Sequence, residues 1–101
     1  MFVRIATDLR VTLEEPHDFK RFHVEIPRSV DAAAASRALG ATARLEGSDK
    51  AWVSETALRG WPSVRDDKAW QDSFGGMLAY ARKKGWIDEA TGAIQAHIEW
   101  K

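Results

Sequence analysis

The chain contains no cysteine, which excludes disulfides, thiolate nucleophiles and thiolate metal sites. It also lacks net charge, with fifteen Lys and Arg standing against fifteen Asp and Glu. The balance holds locally. Residues 1–28 carry five basic and five acidic groups, 29–65 five and four, and 66–101 five and six. That excludes a charged tail and any steering to nucleic acid by net charge alone. No run approaches the roughly 18 apolar residues of a membrane span. Arg4, Asp8 and Arg10 interrupt Met1–Leu13, so it lacks the apolar middle of a signal peptide. These absences predict a soluble, cytoplasmic chain with no membrane partner. There is no phosphate loop, dinucleotide glycine pattern, zinc motif or nucleophile elbow. No cofactor and no metal are predicted.

What remains is 101 residues, 45% hydrophobic and 30% charged, with five Trp. That length and composition predict a single domain over residues 1–101, of the usual ~5–15 kcal/mol stability. Val3, Ile5, Thr7, Leu9, Val11 and Leu13 alternate with polar residues, the period of a half-buried strand. Glu14–Asp18, with Pro16, breaks the pattern. Phe22, Val24 and Ile26 then alternate with Arg21, His23 and Glu25. Two strands joined by a five-residue turn predict an antiparallel hairpin. Ser29 is the expected cap of a short helix through Leu39, closed by Gly40. Ala41–Glu46 and Ala51–Val53 read as a small hairpin, and Ser54 as the cap of a short helix ending at Gly60.

The strongest periodic signal follows. Trp70, Phe74, Met77, Leu78 and Ala81 form one apolar helical stripe, preceded by Ser63 and Asp66 at capping-box spacing. Arg82, Lys83 and Lys84 suit the last turn, and Gly85 closes it. Trp86 then falls where a Schellman motif folds a residue back toward Tyr80 or Ala81. Ile94, Ala96, Ile98 and Trp100 alternate as a final strand. The fold class is α+β: a mainly antiparallel sheet, from the N-terminal hairpin plus the C-terminal strand. A short helix and one long amphipathic helix pack on its apolar face.

The candidate chemistry is sparse. His23 and His97 fall on the polar faces of two strands, near Glu25 and Glu99, a plausible acid–base set if the strands are neighbours. Two histidines and these carboxylates match no recognised metal-ligand spacing. A wet outer sheet face accounts for all four more simply. Trp70, Trp86 and Trp100 occupy core positions in the pattern. Trp52 and Trp61 flank the short helix and are the candidate walls of an aromatic pocket. Gly75 and Gly76 interrupt a helix at roughly 1–2 kcal/mol relative to alanine. With Ala79 they form a small-residue back face, suited to a tolerated kink, a close loop, a ligand or a second subunit.

Three functions follow. The first is a non-catalytic binding or accessory domain that takes a protein partner or a second copy of itself, with a small-molecule ligand left open. The second is a small lyase, isomerase or hydrolase using a His–carboxylate pair in an aromatic pocket. The third rests on element order: from about Ser29 to Trp100, helix, short strand, two helices and a terminal hairpin resemble a winged-helix domain, which implies nucleic-acid binding. The would-be wing carries Asp88 and Glu89, and the would-be recognition helix opens with Asp66 and Asp67. These are the wrong signs for a phosphate backbone.

Overall fold

The N-terminal alternation is folded back on itself. In the computed structural model, which describes residues 1–101, Phe2–Ile5 forms β1 and Val11–Glu14 forms β2. The turn between them is closed by hydrogen bonds from Ala6 N to Arg10 O and from Leu9 N to Ala6 O, at 2.8 and 2.9 Å. Leu9 sits at φ 69, and the Asp8 carboxylate accepts the Arg10 N–H at 3.0 Å. An Asx-type contact of this kind stabilises a turn where the pattern alone suggests extension. The register pairs Val3 with Leu13 and Ile5 with Val11. Odd residues face odd residues, so the alternation passes through the turn unbroken. That is why it reads as one strand.

The expected antiparallel hairpin is corrected accordingly. β3, His23–Ile26, lies on the other side of β1 and runs parallel to it. The last strand is parallel to β3 in turn, and the remaining pairs are antiparallel. The elements between are α1 (Ala32–Leu39), β4 (Ala43–Glu46), β5 (Lys50–Val53), α2 (Glu55–Arg59) and α3 (Lys68–Lys83), followed by β6 (Ile94–Trp100). The six strands form one mixed sheet in the order β2-β1-β3-β6-β5-β4. The class is α+β. β6 enters the middle of the sheet and joins its two halves.

Helix starts differ from the sequence expectation in two places. α1 is capped by Asp31, whose carboxylate accepts the Ala34 N–H at 2.7 Å, rather than by Ser29. Ser29 lies one residue before buried Val30, which belongs to the core. Val30 and Ala35 then stand at hydrophobic-staple spacing around the Asp31 cap, and both are buried. α3 is capped by Asp67, which accepts the Trp70 N–H at 3.0 Å, rather than by the Ser63–Asp66 pair. Turn bonds from Val64 and Arg65 to the Trp61 carbonyl instead carry Val64 into the core. α2 is capped by Ser54 and Gly60 as expected.

The core is one cluster. Val3, Ile5, Val24, Ile26, Ile94, Ala96 and Ile98 supply its sheet side. Ala35 and Leu39 of α1, Leu58 of α2, and Trp70, Phe74, Leu78 and Ala81 of α3 supply its helical side. The α3 stripe therefore has the expected phase, with Met77 at its margin. At the other end of α3, Gly85 at φ +78 permits the 6→1 bond from Trp86 N to Ala81 O, at 2.9 Å. The Gly85 N–H reaches Arg82 O at 3.1 Å, completing a Schellman motif. Trp86 folds back edge-on to Tyr80, with ring centroids 6.0 Å apart. It does not enter the core as the pattern suggested. At 44% exposure it is one of the most open large apolar side chains.

The glycine pair of α3 divides. A Cβ at Gly75 would meet the Arg59 guanidinium at 3.8 Å, the group that lies 5.1 Å over the Phe74 ring. Arg59 also bonds Glu55 and the Gln71 side chain, at 2.9 and 2.8 Å, and so ties α2 to α3. A Cβ at Gly76 would meet nothing within 4 Å. Gly76→Ala is therefore expected to stabilise the chain by about 0.5–1 kcal/mol through helix propensity. Chemical denaturation with native mass spectrometry checks this. A loss of stability accompanied by a change of mass would instead show that a second copy covers that face.

Candidate functional site

The register of the three central parallel strands builds the polar face. Phe2 of β1 stands opposite His23 of β3, His23 opposite His97 of β6, and His97 opposite Lys50 of β5. One step along, Arg4, Glu25 and Glu99 form a second row. In-register parallel strands place like positions side by side, so the rings stack. Phe2 and His23 are 4.7 Å apart at 13°, and His23 and His97 are 5.3 Å apart at 28°. The stack fixes the plane and position of both imidazoles.

Each imidazole meets a carboxylate two residues along its own strand. His23 Nε2 is 3.1 Å from Glu25 Oε2, and His97 Nε2 is 3.0 Å from Glu99 Oε2. Glu99 Oε2 also lies 3.7 Å from His23 Nε2. The other Glu99 oxygen pairs with Lys101 Nζ at 3.3 Å. The hydrogen bond from His97, followed by that from Lys101, holds the Glu99 carboxyl below its ordinary pKa. The four candidate acid–base residues are thus brought together. The His23 side chain is only 13% exposed and that of His97 is 62% exposed. Neither belongs to the core, as the strand parity required.

The tryptophans and glycines do not converge with them. Trp52 lies on the polar side of β5, where its indole N–H donates to Glu46 at 2.6 Å. It borders a small hollow of about 210 Å³ with Arg44 and Thr91. Trp61 packs against the core, and Gly75 and Gly76 sit on α3.

A larger groove, of about 680 Å³, opens elsewhere. β3 begins opposite His97, so the first residues of β6 have no neighbour on that side. The gap is walled by Phe19 and Phe22 before β3, and by Met77, Tyr80 and Trp86 at the end of α3. His23, His97, Gln95 and Glu99 complete it. The Met1 nitrogen donates to the Asp18 and Arg21 carbonyls, at 2.8 and 3.0 Å, which anchors the 19–22 wall to β1. Sequence reasoning missed Phe19, Phe22, Met77 and Tyr80 as site residues. The one available signal was the predicted return of Trp86 onto Tyr80.

No protein-family model matches the chain, and comparisons with curated proteins and with solved structures give no match. No helix is long and apolar enough to cross a membrane.

Proposed function

We propose that the chain is a small non-catalytic binding domain whose ligand lies in the groove between β3, β6 and the end of α3. The observation that carries this reading is the groove's composition. Exposed Tyr80 and Trp86 form one side, and His23, His97 and the Glu99 carboxylate form the other. Its volume, about 680 Å³, falls within the usual range for small-molecule sites. An aromatic wall opposite a hydrogen-bonding wall suits a flat, apolar small molecule with one polar end. That shape favours a small molecule over the flat contact of a protein partner or a second copy.

The test is a fluorescence titration with 8-anilinonaphthalene-1-sulfonate, an apolar aromatic probe with one polar end. Saturable enhancement is expected. Trp86→Ala should weaken it severalfold, in line with the loss of one aromatic contact of about 0.5–1.5 kcal/mol. Trp52→Ala should leave it unchanged. A titration insensitive to Trp86, or one that follows Trp52, overturns the assignment.

A second reading has its own support. His23, His97 and Glu99 lie in the groove wall, with Glu25 hydrogen-bonded to His23 beside it, and there an imidazole could move a proton for a lyase, isomerase or hydrolase. Turnover that depends on His23 or His97 would place this reading first.

A further inference from the structure

We infer that His23, His97 and Glu99 form a binding site for a divalent first-row transition ion such as Zn²⁺. The inference does not depend on what the groove holds. The ligand atoms of these three residues all lie within 4.8 Å of one another. Both imidazoles present the same atom, Nε2, to the same oxygen, Glu99 Oε2, at 3.0 and 3.7 Å. Zinc bonds of about 2.0–2.2 Å in a tetrahedral shell put neighbouring ligand atoms roughly 3.3 Å apart. The two imidazole–carboxylate separations straddle that value, while the two imidazole nitrogens, within 4.8 Å of each other, close by up to about 1.5 Å through side-chain rotation to share an ion.

Three further features fit an ion rather than a chance cluster. The rings are held by the Phe2–His23–His97 stack on adjacent strands, so little ordering is left to the binding step. Lys101 occupies Glu99 Oε1 and turns Oε2 toward the histidines, the outer support that metal carboxylates use. The cluster also lines the groove, which supplies an entry path. Two imidazoles and one carboxylate suit ions of intermediate softness, not Ca²⁺ or Mg²⁺. Glu25 Oε2, 3.1 Å from His23 Nε2, stands by as a second carboxylate. Each histidine coordinates through the Nε2 lone pair with its proton on Nδ1. The ion therefore replaces the present His–carboxylate hydrogen bonds. Lys50, opposite His97, and Arg4, opposite Glu25, are the cations that face the cluster from neighbouring strands. Together with Lys101 they favour a site of modest affinity.

The sequence shows none of this, because His23 is distant in the chain from His97 and Glu99 and meets them only through the parallel β3–β6 register.

The experiment uses the tag-free chain. Zn²⁺ alone is titrated while the histidine ring signals are followed by NMR, and Co²⁺ is titrated while its visible absorption is recorded. The expected result is saturation at one ion per chain, with the His23 and His97 signals moving and that of exposed His17 staying put. His97→Ala and Glu99→Gln, each checked for native circular dichroism, should weaken Co²⁺ binding by at least about tenfold. His17→Ala should leave it unchanged. Absence of saturation at millimolar Zn²⁺ overturns the inference. So does wild-type affinity in either ligand variant, or a shift of His17 equal to the others. These outcomes leave the groove assignment untouched, since its test uses an organic probe and Trp86.

Discussion

Trp70→Ala is expected to lower the stability of the domain by about 3–5 kcal/mol, the range for removing a large aromatic side chain from a core. Trp70 is 2% exposed. Its ring stacks on Phe74 at a centroid distance of 4.8 Å and lies 5.9 Å from Phe19, so the truncation leaves a cavity bordered by two aromatic rings. The indole N–H also donates to the Pro16 carbonyl at 2.7 Å. That bond fastens the β2–β3 connection to α3, and its loss leaves a carbonyl to find another partner. Trp70→Phe helps to separate the two contributions, because it removes the donor while keeping an aromatic ring and most of the volume. It should cost about 1–3 kcal/mol. Urea unfolding of the three proteins gives both numbers. A loss below about 1 kcal/mol for the alanine variant would be an ordinary surface effect, and would detach the α3 stripe from the core.

The second large effect lies on the central strand. Val24 is fully buried and stands between Val3 of β1 and Ile98 of β6. Val24→Asp puts a carboxylate where no partner exists, and the expected loss is roughly 3–5 kcal/mol, enough to unfold much of a domain of ordinary stability. One residue earlier in register, on the opposite face, His97→Gln should change stability by no more than about 1 kcal/mol, since its side chain and its contact with Glu99 are exposed. The contrast is read from thermal melts of both variants. Equal losses would mean that the two faces of the sheet have been exchanged by a one-residue slip.

Local pattern carried much of this fold. The α3 stripe, the β4–β5 hairpin, the Ser54 cap and the Gly85 terminus were all legible, because each depends on residues within a few positions of one another. The direction of β3 was not. Parity is preserved across the Asp8–Leu9 turn, so hydrophobic alternation cannot distinguish one long strand from a folded pair. A hidden turn then reverses the direction of β3 relative to β1. The candidate site suffered from the same blind spot. The faces of His23 and His97 followed from alternation, and the carboxylates beside them from i+2 spacing. Their stacking did not, since it requires β3 and β6 to be parallel neighbours. The aromatic groove was less legible still. It exists because β3 starts three residues later along the sheet than β6, as the pairing of His23 with His97 and the start of β6 at Ile94 show.

The position of β6 also orders events in time. β1, β2 and β3 can pair among themselves, and β4 with β5, but the two groups are hydrogen-bonded into one sheet only through β6. The strand that bridges them follows every other element along the chain. Until residues 94–100 pair, the sheet can form only as two separate halves, each with an open edge. Such an intermediate is prone to pair with other chains through those edges. The bridging contacts span long stretches of sequence, which slows the closing step. The contact between the His23 and His97 rings comes into being only at that step. In a stopped-flow refolding experiment it would mark the moment at which the two halves become one sheet.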